Sequence, residues 1–204
     1  LTEAEQQYLH ALPLYRQLHE RQGEANTFQS LADLYVRSGR LKEAEQQYLN
    51  ALPLFRQTKD RLGEANTLRA LGDFCIRTAR LQEAEQHLLD ALSVYEQIEV
   101  QQGEANTIQA LGDLCVRTSR LPEAEERYLR ALTIYKRIED RIGQANAIRA
   151  LGTLCVRTAR LPEAEQQYRL ALPIFQEAKD QLGEANTLLA VGVLCARTGY
   201  LKEG

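Results

Sequence analysis

Residues 62–97 read LGEANTLRALGDFCIRTARLQEAEQHLLDALSVYEQ. Their apolar and small side chains fall into two stripes. The first runs through Ala65, Leu68, Leu71, Gly72 and Cys75, the second through Leu81, Ala84, Leu88, Ala91, Leu92 and Tyr95. Spacings of three and four residues put each set on one face of a helix. The stripes break at Thr78-Ala79-Arg80, where the copies at either end of the chain carry Gly39 and Gly199, residues that stop helices readily. Asp60 stands where an N-cap belongs, and Glu64 falls in the first turn, where the helix dipole favours a carboxylate. In later copies Pro122 and Pro162 lie just inside the second helix, where a missing N–H costs nothing. The stretch is predicted to be two antiparallel helices, A then B, joined by a tight turn.

The same pattern fills the chain at a period of 40 residues, without insertion or deletion. Leu-x-Glu-Ala-Glu begins at Leu1, Leu41, Leu81, Leu121 and Leu161; GEAN begins at Gly23, Gly63, Gly103 and Gly183, with GQAN from Gly143. A regular period of this length means stacked supersecondary units. The expected organisation of residues 1–204 is one array without a linker: helix B of a truncated first repeat (1–20), helix A–B repeats at 21–60, 61–100, 101–140 and 141–180, and a final helix A (181–200).

Small residues sharpen the reading. Gly72, Gly112, Gly152 and Gly192 sit in the middle of helix A, with Ala32 in the first copy. An internal glycine costs about 1 kcal/mol relative to alanine, so its repetition predicts close helix approach. Ala44, Ala84, Ala124 and Ala164 are expected to face that gap, and Ala51, Ala91, Ala131 and Ala171 the next one. Leu71-Gly72 with Cys75, then Ala84, Leu88 and Ala91, resembles the tetratricopeptide repeat (TPR) signature L-G-x2-Y, A-x3-F/Y, A; Tyr48, Tyr128 and Tyr168 fill the aromatic place held here by Leu88. Phe28, Leu68, Ile108, Ile148 and Leu188 replace the usual tryptophan, cysteine replaces tyrosine in four copies, and the period exceeds the common 34 residues. That length is similar to the arrays of Pins-type polarity adaptors and close to those of kinesin light chains. LGEANTLRALGD is similar to arrays on fungal and bacterial NACHT or NB-ARC signalling ATPases. The resemblance implies an all-α, right-handed TPR solenoid of stacked antiparallel helix pairs, whose concave groove is lined mainly by helix A and binds protein partners.

On that wall the sequence marks an asparagine ladder, Asn26, Asn66, Asn106, Asn146 and Asn186, although asparagine is a mediocre helix former. Its amide donates and accepts, which suits an extended peptide. The alternative is that each Asn ties its helix to a neighbouring loop or is solvated. The adjoining position varies as Gln29, Arg69, Gln109, Arg149 and Leu189. Arginines recur at Arg37, Arg77, Arg117, Arg157 and Arg197, with Asp33, Asp73 and Asp113 four residues before the first three, a spacing for intrahelical ion pairs. The last two have Thr153 and Val193 there instead. The C-terminal half is therefore expected to be more positive, and an acidic or C-terminal carboxylate segment to dock near Arg149, Arg157 and Arg197.

Other classes are disfavoured. A net charge of −3 gives no pull toward nucleic acid or anionic membrane, and no apolar run reaches a membrane span. His10, His19 and His87 belong to no nucleophile or metal motif, no cofactor fingerprint appears, and Glu83 and Glu85 diverge on a helix, so no enzyme is indicated. Cys75, Cys115, Cys155 and Cys195, one per repeat, are expected to be buried thiols in a reducing, cytoplasmic setting. Pro13, Pro53 and Pro173 inside helix B predict a bend. The chain opens on a helix B and closes on a helix A, which predicts head-to-tail self-association. The competing reading is a structural, self-associating arm of a larger signalling ATPase with no peptide ligand of its own.

Overall fold

The computed structural model describes residues 3–202. Ten helices are described: α1 (Glu3–Gln17), α2 (Arg21–Arg37), α3 (Leu41–Thr58), α4 (Arg61–Arg77), α5 (Leu81–Gln97), α6 (Gln101–Arg117), α7 (Leu121–Arg137), α8 (Arg141–Arg157), α9 (Leu161–Glu177) and α10 (Gln181–Lys202). The even-numbered helices are the A helices of the repeat and the odd-numbered ones the B helices. The chain forms two compact units, Leu1–Gly103 and Glu104–Gly204.

Within the first unit Gly72 of α4 meets Leu88 of α5, while Asn66 meets Tyr95. Positions retreat along one helix as they advance along the other, so the pair is antiparallel. In the second unit Gly112 and Asn106 of α6 meet Tyr128 and Tyr135 of α7 in the same way. The mid-helix glycines do mark close approach. A Cβ on Gly112 or Gly152 would lie 2.6 Å from the ring of Tyr128 or Tyr168. The gap is filled by that large side chain rather than by the alanines expected there; Ala84 presents only its carbonyl, 3.4 Å from a Cβ built on Gly72. The alanines are nonetheless fully buried one turn away.

The turns follow one plan. At each described junction a residue takes the left-handed region, and the two N–H groups that follow the helix return to its last carbonyls. Ala79 (φ 60°) donates to Ile76 O and Arg80 to Cys75 O, the Schellman pattern. Only Gly39 uses glycine there. The turn from A to B is clamped by its arginine. Arg80 Nη2 lies 2.6 Å from Glu45, Arg40 Nη1 2.7 Å from Glu5, and Arg160 makes a two-pronged contact at 2.9 Å with Glu125. The same arginines bond Glu43, Glu83 and Glu163. The Glu-Ala-Glu motif is thus two ligands for two different turns. Asp60, Asp140 and Asp180 cap helix A through the N–H of Gly63, Gly143 and Gly183 at 2.8–3.0 Å.

Three expectations change. The chain does not stop at Gly199, because α10 continues to Lys202; the clamp arginine of the other A-to-B turns is replaced there by Tyr200. Cys75, Cys115 and Cys155 are buried, but Cys195 is exposed. Pro13, Pro53 and Pro173 lie inside continuous helices on solvent-exposed positions, where water can serve the carbonyl that each proline leaves without its helical donor.

Candidate functional site

Neighbouring A helices enclose clefts floored by the large residue of the B helix between them. In the first unit a cleft of about 260 Å³ lies between α2 and α4, with Tyr48 below and Asp33, Arg69, Asp73 and Arg77 around it. In the second unit one of about 400 Å³ lies between α6 and α8, with Tyr128 below and Gln109, Asp113, Arg117, Asn146, Arg149, Thr153 and Arg157 around it. A third, of about 370 Å³, lies between α8 and α10, with Tyr168, Asn186, Leu189, Val193 and Arg197.

The floor tyrosines explain the aspartates. Tyr48 donates to Asp33 at 2.5 Å and Tyr128 to Asp113 at 2.7 Å. Burial and the adjacent carboxylates push both phenols above the usual range. No hydrogen-bonded ion pair joins Asp33 to Arg37 or Asp113 to Arg117 among the described residues, contrary to the spacing argument, because the tyrosine hydroxyl reaches each carboxylate first. Asp113 opens to the cleft but is ringed by protein; this desolvation raises its pKa, against the lowering by Tyr128, Arg149 and Arg117. Asp73 pairs with Arg69 at 2.9 Å.

Arg149 holds the place of Arg69, and Thr153 that of Asp73. The Thr153 hydroxyl donates to its own helix, at Arg149 O, 3.1 Å away. Arg149 keeps one long bond, Nη2 to Asn146 at 3.4 Å, and its buried Nε has no partner. Gln109 Oε1 in the same cleft is also buried without one. Arg157 and Arg197 each give one donor to the last turn of the preceding A helix, at Val116 O (3.3 Å) and Val156 O (3.1 Å). They thereby place cationic groups at a helix C-terminus.

The asparagine ladder is not uniform. Asn66 accepts from Tyr95 at 2.6 Å and Asn106 from Tyr135 at 2.8 Å, each tying helix A to the following helix B. The places of those tyrosines opposite Asn26 and Asn146 hold Phe55 and Phe175, which cannot donate. Asn146 and Asn186 line the second-unit clefts, and Asn26 lines a cleft between α1 and α2. The signal that separates these roles is the Tyr/Phe choice 29 residues on. Sequence reasoning passed over Gln109 and the floor tyrosines as members of the site.

The tetratricopeptide repeat profile matches residues 1–57, 31–97 and 103–177. The chain belongs to the tetratricopeptide repeat family. The TPR fold recurs in solved structures: BtubC (BKLC) from P. vanneervenii (TM-score 0.81, 20% identity, 98% of this chain and 85% of that one); aspartyl phosphate phosphatase F from Bacillus subtilis (0.79, 12%, 84% and 45%); and a signal transduction ATPase with numerous domains, bearing a TPR sensor, from Pyrococcus horikoshii (0.75, 15%, 84% and 27%). This chain thus spans under half of the phosphatase and about a quarter of the ATPase. No curated protein matches the sequence. TPR arrays are in general protein-interaction folds rather than catalysts, and their partners are proteins. Among the described residues no helix is long and apolar enough to cross a membrane.

Proposed function

We propose that this TPR chain is a protein-interaction scaffold, without chemistry of its own, that takes an acidic peptide segment into the clefts of its second unit. The observation that carries the reading is Arg149: a half-buried guanidinium with an unpartnered Nε, where its counterpart Arg69 already holds Asp73. A guanidinium fork pairs best with a carboxylate. Asn146, Asn186, Arg157 and Arg197 lie along the same two clefts. Arg117 borders the α6–α8 cleft, whereas Asn26, Asn66, Asn106, Arg77, Asp73 and Asp113 contribute wall and structure. The buried thiols fit a reducing, cytoplasmic setting. Titration of acidic and basic peptides of equal length tests this. The acidic peptide should bind more tightly, with an advantage that shrinks as salt rises. Equal affinity at every salt concentration overturns it.

A second reading, the self-associating arm of a larger protein, draws on α10. Leu188 there is 50% exposed, whereas Ile148 at the same place in α8 is 8% exposed. Gly192 has nothing within 4 Å of a built Cβ, whereas Gly152 is filled by Tyr168. Tyr8 of a second molecule, half-buried on α1, is the side chain that the repeat assigns to that socket. Sedimentation over a wide concentration range should show association that Gly192→Leu abolishes; a strict monomer throughout rules it out.

A further inference from the structure

We infer that the cleft between α6 and α8 is a subsite for a phosphorylated serine or threonine of the partner segment, an assignment that rests on the acidic-peptide reading above. Three guanidiniums, Arg117, Arg149 and Arg157, border this one cleft, and its single carboxylate, Asp113, is already engaged by the Tyr128 hydroxyl. The net charge around the cleft is therefore near +2, one more than a carboxylate neutralises. A phosphoryl ester carries about −1.5 to −2 at neutral pH and offers three strong acceptor oxygens.

The donors match that shape as well as that charge. Arg149 presents its unpartnered Nε, and its Nη2 is bound only at 3.4 Å, so the side-on face of the guanidinium is available as a fork. The Gln109 carboxamide oxygen is buried in the cleft without a donor. Rotation of that amide by half a turn sends its NH2 inward and gives the third oxygen a partner. Asn146 adds an amide at the rim. The equivalent cleft in the first unit cannot do this. Its Arg69 is held by Asp73, and Asp33 and Asp73 balance Arg69 and Arg77.

Three versions of one acidic peptide, carrying phosphoserine, glutamate or serine at a central position, would be titrated against the whole chain by fluorescence anisotropy. Since partner sequence is unspecified, the central position is varied against a fixed acidic flank. The phosphoserine version should bind at least about tenfold more tightly than the glutamate version, the effect of one or two added charge-assisted hydrogen bonds. Arg149→Lys keeps the charge and removes the fork, so it should erase most of that advantage and leave binding of the glutamate peptide nearly unchanged. Gln109→Leu should reduce the phosphoserine advantage severalfold, with circular dichroism confirming an intact fold. Equal affinity for phosphoserine and glutamate overturns the inference while leaving the acidic-peptide reading in place. An advantage that survives Arg149→Lys and Gln109→Leu also overturns it, by moving the phosphate elsewhere. No binding of any version overturns both.

Discussion

The cleft between α2 and α4 and the cleft between α6 and α8 are built from the same positions, 80 residues apart. Asp33 and Asp113 take the hydroxyls of Tyr48 and Tyr128, and Arg69 and Arg149 stand opposite. The decisive difference is one residue. Asp73 closes Arg69 into an intrahelical ion pair, and Thr153 turns back on its own helix and leaves Arg149 open. In an array of near-identical units the shared residues make the scaffold. Binding specificity is carried by the position where one copy departs from the rest.

The comparison can be broken first at its common floor. Tyr48→Ala and Tyr128→Ala should each destabilise the protein by roughly 3–5 kcal/mol in denaturant unfolding, as truncation of a buried aromatic does. A small loss at Tyr128 alone would show that the two floors are not equivalent. The sharper test exchanges the deciding residues. Thr153→Asp should close Arg149 and weaken acidic-peptide binding about tenfold, or about 1.4 kcal/mol. Asp73→Thr should open Arg69 and create a second, weaker site. Alkali probes both floors together. The phenols of Tyr48 and Tyr128 titrate above their unfolded value, so their contribution is complete below about pH 10 and is lost as pH rises through the folded pKa. Tyr48→Phe combined with Tyr128→Phe should flatten the alkaline limb of a stability–pH profile; an unchanged limb would mean that neither hydroxyl bond matters. The smallest effect lies at the turns. Ala79→Gly and Ala159→Gly relieve left-handed strain but loosen the unfolded chain, for a net gain of about 0.5 kcal/mol, equal in the two units and measurable in thermal melts.

Most of the architecture was legible because each cue occurs in several copies. The two stripes, the aspartate caps and the mid-helix glycines each repeat at a fixed interval, and each found its expected structural role. What escaped was the long-range partner of each polar side chain. Asp33 and Arg37 are well spaced for an ion pair on one helix, but nothing local reveals that Tyr48, on the next helix, will take the aspartate. Asn66 and Asn146 look alike along the chain and differ in the structure because Tyr95 can donate where Phe175 cannot. Arg80 belongs with Glu45 only after two helices have folded over one another. Gly199 follows the rule for a helix stop, but the neighbouring clamp residue that accompanies the other A-to-B turns is replaced by Tyr200.

The arginine clamp has a direction. Arg40, Arg80 and Arg160 each reach a glutamate 35 residues earlier in the chain, Glu5, Glu45 and Glu125, and a second one only three residues ahead. When such an arginine leaves the ribosome, its backward partner has already been made, and the forward one follows almost at once. Each new helix pair can therefore be locked to its predecessor while later segments are still unsynthesised, so the clamp favours vectorial assembly from the amino terminus. A nascent chain of this kind never has to hold more than its newest pair of helices in an unsecured state.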